Sequence, residues 1–242
     1  MIFTGNTTWF VQPTSRYALN TVSPKHITKS NFTFMCKIKV DWEKMIEYTS
    51  TQEGGVMIKN GKHLGISVAK TGDNFRIIKG ELWTKSNNSD GAEINQIIIP
   101  VNDVANTPDI SEDDLNITFS CDIIGKKITL TVNNITKTTN LKGEIIDYSA
   151  SWLWVGCCNA LDSFPEETKY FFYGELSYAA IFAKALSASD IREVRHTPSS
   201  ISKRLTPTCA FDFKRQTPYK VLDIAGTGNH LIKFDKEWMD ES

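Results

Sequence analysis

The sequence predicts an all-β sandwich of antiparallel strands. Short apolar stretches succeed one another along the 242 residues, and turns rich in Gly, Asn and Asp separate them. Up to about residue 186, helix-period segments are missing between these stretches, which argues against a fold that alternates strands with helices. The length and the 40% hydrophobic content suffice for one large core, so a single sandwich is favoured over two small domains.

The clearest strand lies at residues 32–40, with the sequence FTFMCKIKV. Its Phe, Phe, Cys, Ile and Val residues share one face, while Thr and two Lys share the other, which predicts a sheet with one solvent face. Such sheets are antiparallel. The segment NITFSCDIIGKKITLTVNN repeats the alternation on both sides of a GKK turn and predicts a hairpin. Shorter strands are predicted at GGVMIKN, HLGISVA, NFRIIKG, INQIIIP and SWLWVG.

A short helix is predicted in the second half of residues 170–196, whose first half alternates like a strand. In LSASDIREVR, Ser187 is a candidate N-cap and Asp190 sits where it can complete a capping box. Ile191 and Val194 would then bury the inner face of the helix.

Composition limits the classes of partner. The chain carries 27 basic and 28 acidic residues, with no one-signed cluster that would suit nucleic acid or an anionic membrane surface. No apolar run approaches the roughly 20 residues of a membrane helix. MIFTGNTTWF lacks the features of a signal peptide, so we expect a chain made in the cytoplasm without one. Five cysteines at these spacings imply neither a disulfide framework nor a zinc site.

Several of these segments together resemble a known family. Gly174, Leu176, Ile181 and Leu186, followed by the helix start, resemble the closing segment of laminin-G-like domains of the concanavalin A-like lectin/glucanase superfamily. FTGNTTWF resembles the opening F-x-G-N strand of that family, and NFTFMCKIKV its first core strand. ITFSCDIIGKKITLTVNN resembles its central hairpin, so the resemblance spans residues 1–196.

The resemblance implies a concanavalin A-like jelly roll of two antiparallel sheets, with one short helix near the C-terminal third. Residues 1–196 would form the jelly roll, and residues 197–242 a C-terminal extension packed back on it. The family's usual Trp before the central hairpin is replaced here by DDLN. A glycine-rich turn that is usual near the start of the domain stands near the end, as LDIAGTGNHL. Residues 197–242 could therefore hold a closing strand or part of a second module.

Catalytic signatures of the related glycosidases are missing from the sequence. Their two carboxylates alternate on one strand as E-x-D-x-x-E, and that pattern does not occur here. Signatures of serine or cysteine hydrolases do not occur either. We therefore expect a protein that is not an enzyme, with a glycoside hydrolase as the weaker alternative.

Aromatic residues are the candidate ligand contacts. In SWLWVG, Trp152 and Trp154 share one strand face and the two aliphatic residues share the other, so two indoles would face outward if the aliphatic pair is core. Exposed indole faces suit sugar rings. Trp83 and Tyr148 are further candidates for the same surface, and burial of the tryptophans in the core is the alternative.

Calcium is the candidate cofactor. Relatives in this superfamily bind calcium at the sandwich rim through loop Asp or Asn side chains and backbone carbonyls. Asp73 and Asn74 in TGDN, and Asn159 and Asp162 in CCNALD, have that chemistry. The sequence does not choose between the two loops.

These observations favour a non-catalytic recognition or assembly module with a lectin-like fold. Its partner would be a glycan or another structural protein, and a homo-oligomer is an open alternative. A cytoplasmic lectin-type sandwich could meet surface glycans as part of a bacteriophage virion, which makes a virion-associated structural protein the first expectation. A free carbohydrate-binding lectin domain is the alternative.

Overall fold

A computed structural model of the chain shows an antiparallel β-sandwich. It describes residues 2–4, 8–11, 31–45, 55–60, 64–71, 75–86, 91–101, 114–146, 153–155, 158–159, 168–169, 172–196, 205–216, 220–228 and 230–234.

Eighteen strands and one helix lie within the described residues. The strands are β1 (Ile2–Thr4), β2 (Thr8–Val11), β3 (Phe32–Val40), β4 (Gly55–Asn60), β5 (Leu64–Thr71), β6 (Phe75–Lys85), β7 (Ala92–Pro100), β8 (Leu115–Asp122), β9 (Lys127–Val132), β10 (Ile135–Asn140), β11 (Glu144–Ile145), β12 (Leu153–Val155), β13 (Cys158–Asn159), β14 (Thr168–Lys169), β15 (Tyr173–Phe182), β16 (Cys209–Gln216), β17 (Lys220–Asp223) and β18 (Leu231–Phe234). The helix is α1 (Ala188–His196).

Two layers face each other across one core. The order β10-β9-β8-β3-β15 forms the layer that we call the helix-side sheet, and β12-β4-β5-β6-β7 forms the far sheet. The run β16-β17-β18-β2 joins the two layers, and β1 and β11 add to β15 and β6. The described pairings are antiparallel, which confirms the predicted jelly-roll sandwich.

The core lies between the apolar faces of the two sheets. The face of β3 that the sequence predicts to be apolar is buried, with Phe32 and Phe34 fully enclosed. From the far sheet, Gly80 of β6 lies directly beneath the ring of Phe119 of β8. A Cβ at position 80 would stand 2.5 Å from Phe119 Cδ2, so glycine here lets a large ring fill the space between the layers.

Helix α1 covers part of the outer face of the helix-side sheet. Ser187 Oγ accepts a hydrogen bond from Asp190 N, and Asp190 Oδ2 accepts one from Ser187 N, both at 3.2 Å, which confirms the predicted capping box. Val194 is buried in a second apolar cluster beneath the helix.

The covered face changes one sequence-based expectation. The alternation in β3 predicts solvent on the outer face, yet Thr33 and Met35 are buried there. Thr33 Oγ1 donates to Lys184 O at 2.8 Å and accepts from Leu186 N at 3.0 Å, so this threonine fixes the chain that leads into α1.

Strands after α1 extend the same fold. β16 pairs with β15, and β18 pairs with β2, which closes this side of the sandwich. The division of the chain at residue 196 stays a prediction.

The buried carboxylate of Asp223 organises the turn that follows β17. Asp223 Oδ1 accepts hydrogen bonds from the backbone N–H groups of Ala210 and Ala225, and Oδ2 accepts from Thr227 N and Oγ1. The Asp-Ile-Ala-Gly sequence is therefore explained by turn geometry.

Candidate functional site

Strand β6 carries charge on the face that points away from the core. Ile78 and Leu82 on its inner face are fully buried in the core. The residues between and beyond them, Lys79, Glu81 and Trp83, share the outer face because successive strand residues alternate. Strand β6, which lies between β5 and β7 in the far sheet, thus places an ammonium, a carboxylate and an indole in a row on its outer face.

Glu81 links the three side chains. Its Oε2 lies 3.0 Å from Lys79 Nζ, and its Oε1 accepts a hydrogen bond of 3.1 Å from Trp83 Nε1. The side chains of Lys79 and Glu81 are each 10% exposed, whereas Trp83 is half-buried. The hydrogen bond from Glu81 therefore fixes the orientation of the Trp83 indole, and the buried ion pair with Lys79 fixes Glu81.

The neighbouring strand β7 adds an apolar and amide surface. Directly opposite Trp83, Glu81 and Lys79 stand Ile94, Gln96 and Ile98. Ile94 and Ile98 are 52% and 39% exposed, and Gln96 is exposed. We call these six residues of β6 and β7 the indole face.

On the other side of β6, β5 is buried beside the charged pair. Gly65 is the partner of Glu81 in the ladder, and the buried hydroxyl residue Ser67 is the partner of Lys79. Gly65 is buried as well, so the outer face over β5 and the charged pair is shielded from solvent. The exposed part of the indole face therefore lies on β7, beside the half-buried Trp83.

Strand register places the predicted Trp154 in the same transverse row of the far sheet as Glu81. Trp154 pairs with Lys59, Lys59 with Gly65, and Gly65 with Glu81, so these positions form one transverse row of the far sheet. At about 4.8 Å per strand, positions 154 and 81 lie roughly 14 Å apart. The structure describes the backbone of Trp154 and not its side chain.

The remaining predicted site residues are not tested by the described part of the chain. Asn159 is described through its backbone in β13, where it pairs with Thr168. Trp152, Tyr148, Asp73, Asn74 and Asp162 lie outside the described residues. Their roles in binding glycan or calcium stay predictions.

Sequence reasoning singled out Trp83 and missed its partners. The sequence analysis assigned no role to Lys79, Glu81 or Gln96. The signal was present in IIKGELWTK, where Lys, Glu and Trp recur at every second position opposite Ile, Gly and Leu. Opposite charges two residues apart on a strand share a face and can pair.

The indole face has the chemistry of a small-molecule binding surface. It combines an aromatic ring, exposed aliphatic side chains and a few fixed polar groups, which is the usual composition of such sites. Within the described residues, no group of three or more His, Cys, Asp and Glu side chains could hold a metal ion.

Comparisons with known proteins rest on structure. No protein-family model matches the chain, and no curated protein matches it. Among solved structures, the chain is similar to a candidate carbohydrate-binding protein from Bacteroides ovatus, with a TM-score of 0.57 and 11% identity. The match covers 97% of this chain and 57% of that one, so the chain spans little more than half of that protein.

Two further structures show weaker similarity. The CBM40 module of the Ruminococcus gnavus IT-sialidase has a TM-score of 0.48 and 12% identity, over 80% of this chain and 95% of that one. A heptameric SAP-like pentraxin from Limulus polyphemus has a TM-score of 0.43 and 12% identity, over 78% and 82%. Of the three, only the Bacteroides ovatus protein is similar enough to support an argument, and that argument concerns the fold alone.

None of the helices in the described residues is long and apolar enough to cross a membrane. The laminin-G-like branch is not specifically supported by these neighbours and stays a prediction. The architecture is an antiparallel jelly-roll sandwich, and the similarity to the Bacteroides ovatus protein concerns that fold alone.

Proposed function

We propose that this protein is a non-catalytic carbohydrate-binding module whose ligand lies across the indole face. The observation that carries the proposal is the hydrogen bond by which Glu81 holds the indole of Trp83 at its Nε1, while Trp83 is only half-buried. A ring fixed in orientation loses little conformational freedom when a ligand stacks on it.

The surroundings of Trp83 suit a sugar ring. A pyranose has apolar C–H faces and a rim of hydroxyl groups. The indole and the exposed Ile94 offer apolar contact, and Gln96 offers an amide that both donates and accepts.

The same face gives little support to glycosidase chemistry. Hydrolysis of either stereochemical type uses two carboxyl groups, about 5 Å apart in retaining and 6.5–9.5 Å apart in inverting enzymes. Among the six residues of the indole face, Glu81 is the one carboxylate, and its two oxygens already contact Lys79 and Trp83. We therefore expect no release of reducing ends from β-glucans.

The decisive experiment compares Trp83→Ala with a matched surface variant. We expect Trp83→Ala to weaken glycan binding, found first on a glycan array and then measured by calorimetry, by about fivefold for the loss of about 1 kcal/mol of stacking. Ile94→Ala should weaken it less. Ile124→Ala, at a 91% exposed position in the turn between β8 and β9, should change nothing. Equal affinities for all three variants would refute the indole face as the site.

The expectation of a virion component is a separate proposal. The supporting argument is the lectin-type sandwich, which could present a glycan-binding face on a particle, and its test is mass spectrometry of purified particles from the source culture. The presence of the chain in particles at stoichiometric amounts would support it. Its absence from them would favour the free lectin.

A further inference from the structure

A small cavity lies under helix α1, on the outer face of the helix-side sheet and away from the indole face. Met35, Asn116 and Ile117 line it from the sheet, together with Tyr178, and the helix contributes Val194 and Arg195. The cavity is partly open to solvent and has room for about one water-sized particle.

Polar groups at this cavity are buried without partners. Among the described residues, the hydroxyl of Tyr178 and the Nε and Nη2 atoms of Arg195 have no hydrogen-bond partner. Tyr178 is 5% exposed, so its hydroxyl is shielded from bulk water. A buried polar group without a partner destabilises the fold, so native structures rarely leave several of them together.

The unpartnered groups are strongly biased toward donors. Nε and Nη2 are the two atoms on one edge of the guanidinium that grip an anion side by side, while Nη1 donates to Asn133 O at 2.8 Å. The neighbouring Asn133 Nδ2 and Thr118 Oγ1 are also buried and unpartnered. Asn133 Oδ1 accepts from Asn116 N at 2.8 Å, which fixes Nδ2 as a donor.

The charges nearby leave the guanidinium uncompensated. Burial lowers the pKa of Arg195, which shows that its charged form has lost part of its hydration. Of the other charged groups near the cavity, Lys37 pairs with Asp114 at 3.0 Å. Asp212 faces Tyr178 across the β15–β16 ladder. The hydrogen-bond pattern gives Arg195 a carbonyl and no carboxylate.

We propose that this cavity binds a small monoanion of chloride size between the Nε–Nη2 edge of Arg195 and the hydroxyl of Tyr178. A monoanion accepts from the cavity-lining donors, Nε and Nη2 of Arg195 and the hydroxyl of Tyr178, and it balances the buried charge, which a neutral water molecule does not. Because Arg195 belongs to α1 and Tyr178 to β15, the bound anion fastens the helix to the sheet.

The test uses the full-length protein and two salts. Melting temperature is measured in mixtures of sodium chloride and sodium gluconate at constant ionic strength, because gluconate is too large for the cavity. We expect the melting temperature to rise with chloride and to saturate. Crystals grown in sodium bromide should show anomalous density between Arg195 and Tyr178.

Three variants separate the anion from a purely structural role. Tyr178→Phe keeps the ring and removes the hydroxyl, and should weaken the halide dependence by about tenfold in concentration. Arg195→Gln should abolish that dependence. Arg192→Gln makes the same change in charge at an exposed position of the same helix and should leave the dependence as in the wild type.

The opposite results would contradict the anion site. If the melting temperature is equal in chloride and gluconate, or if a bromide crystal shows no anomalous density, the cavity holds water and not an anion. A Tyr178→Phe variant that is more stable than the wild type in both salts would mean that the hydroxyl has no ligand.

Discussion

Lys79 Nζ lies 3.0 Å from Glu81 Oε2, and both side chains are about nine-tenths buried on the face of β6 that points away from the core. Removing two charges from water costs several kcal/mol for each ion, and their attraction offsets this cost without a large surplus. An apolar pair would serve stability as well. The charged pair is therefore best explained by what it holds in place, which is the indole of Trp83.

Removing one member of this ion pair should lower the free energy of unfolding strongly, whereas replacing both members by apolar residues should not. We expect Glu81→Gln to lower the free energy of unfolding by about 3 kcal/mol, because the Lys79 ammonium is left buried without a counter-charge. The double variant Lys79→Met/Glu81→Leu should regain most of that stability and still bind glycan poorly, since Trp83 has lost its acceptor. Urea denaturation and calorimetry measure the two effects.

A matched control is the exposed pair of Asp41 and Lys44, 2.6 Å apart. The hydrogen bond from Lys44 lowers the pKa of Asp41, yet both groups are hydrated. Asp41→Asn should therefore cost much less than Glu81→Gln. Equal losses of unfolding free energy for Asp41→Asn and Glu81→Gln would show that burial gives the Lys79–Glu81 pair no special role.

The two tryptophans of SWLWVG give a second prediction. If they extend the binding surface along the row that contains Lys59 and Gly65, Trp152→Ala and Trp154→Ala should each weaken glycan binding by about fivefold and leave the melting temperature unchanged. Unfolding of both variants would identify the indoles as core residues.

The fold was largely predictable because its signals are local. The residues at 32–40 alternate between apolar and polar except at Met35, and β3 has those same bounds. The capping box at Ser187 follows from four consecutive residues. Where α1 docks was not predictable in this way, because Thr33 and Met35 owe their burial to a helix about 155 residues later in the chain.

The candidate site was predictable only where its signals are local. Trp83 stands out by its residue type, whereas the burial of Lys79 and Glu81 depends on neighbouring structure that a single strand does not reveal. The cavity beneath α1 depends on three separate segments, which carry Asn116, Tyr178 and Arg195. No sequence pattern links such positions.

Gly80 provides a third prediction. A methyl group at this position would collide with the ring of Phe119, so Gly80→Ala should lower the free energy of unfolding by about 1–3 kcal/mol. Phe119→Leu alone should also destabilise the core. The double variant should lose less than the sum of the two, because the leucine makes room for the methyl group. Strict additivity in urea denaturation would contradict the contact.

Buried thiols should make stability fall at alkaline pH. Burial raises the pKa of the Cys121 thiol from its ordinary value of 9.0 to about 12, and it raises the pKa values of Cys36 and Cys209 as well. Above about pH 9 the unfolded chain loses these protons while the folded protein keeps them. The free energy of unfolding therefore decreases as pH rises from about 9 towards 12.

The contribution of one thiol can be isolated with Cys121→Val. Each thiol contributes a slope of at most about 1.4 kcal/mol per pH unit in that window. Urea denaturation at pH 8, 9 and 10 should give a shallower decline for Cys121→Val than for the wild type. Identical declines would place the titration elsewhere.

Calcium binding at the rim loops gives a fifth prediction. A site that binds only the folded protein stabilises it by about 2.7 kcal/mol at a hundredfold excess over the dissociation constant. Melting temperature should rise in calcium gluconate relative to sodium gluconate, a comparison that keeps chloride out. Asp73→Ala and Asp162→Ala should identify the loop. If neither calcium nor a chelator changes the melting temperature, the calcium proposal is wrong.

The pairing of β2 constrains the order in which the fold can form during synthesis. Phe10 has Trp154 as its ladder partner on one side and Ile232 on the other, so both neighbours of this strand are made long after it. Strand β2 therefore waits with both edges unpaired while the strands that follow it assemble into the two layers. A nascent chain halted after α1 would hold a nearly complete helix-side sheet and an unfinished side, and such an exposed edge is where contacts with chaperones or with a second nascent chain would begin.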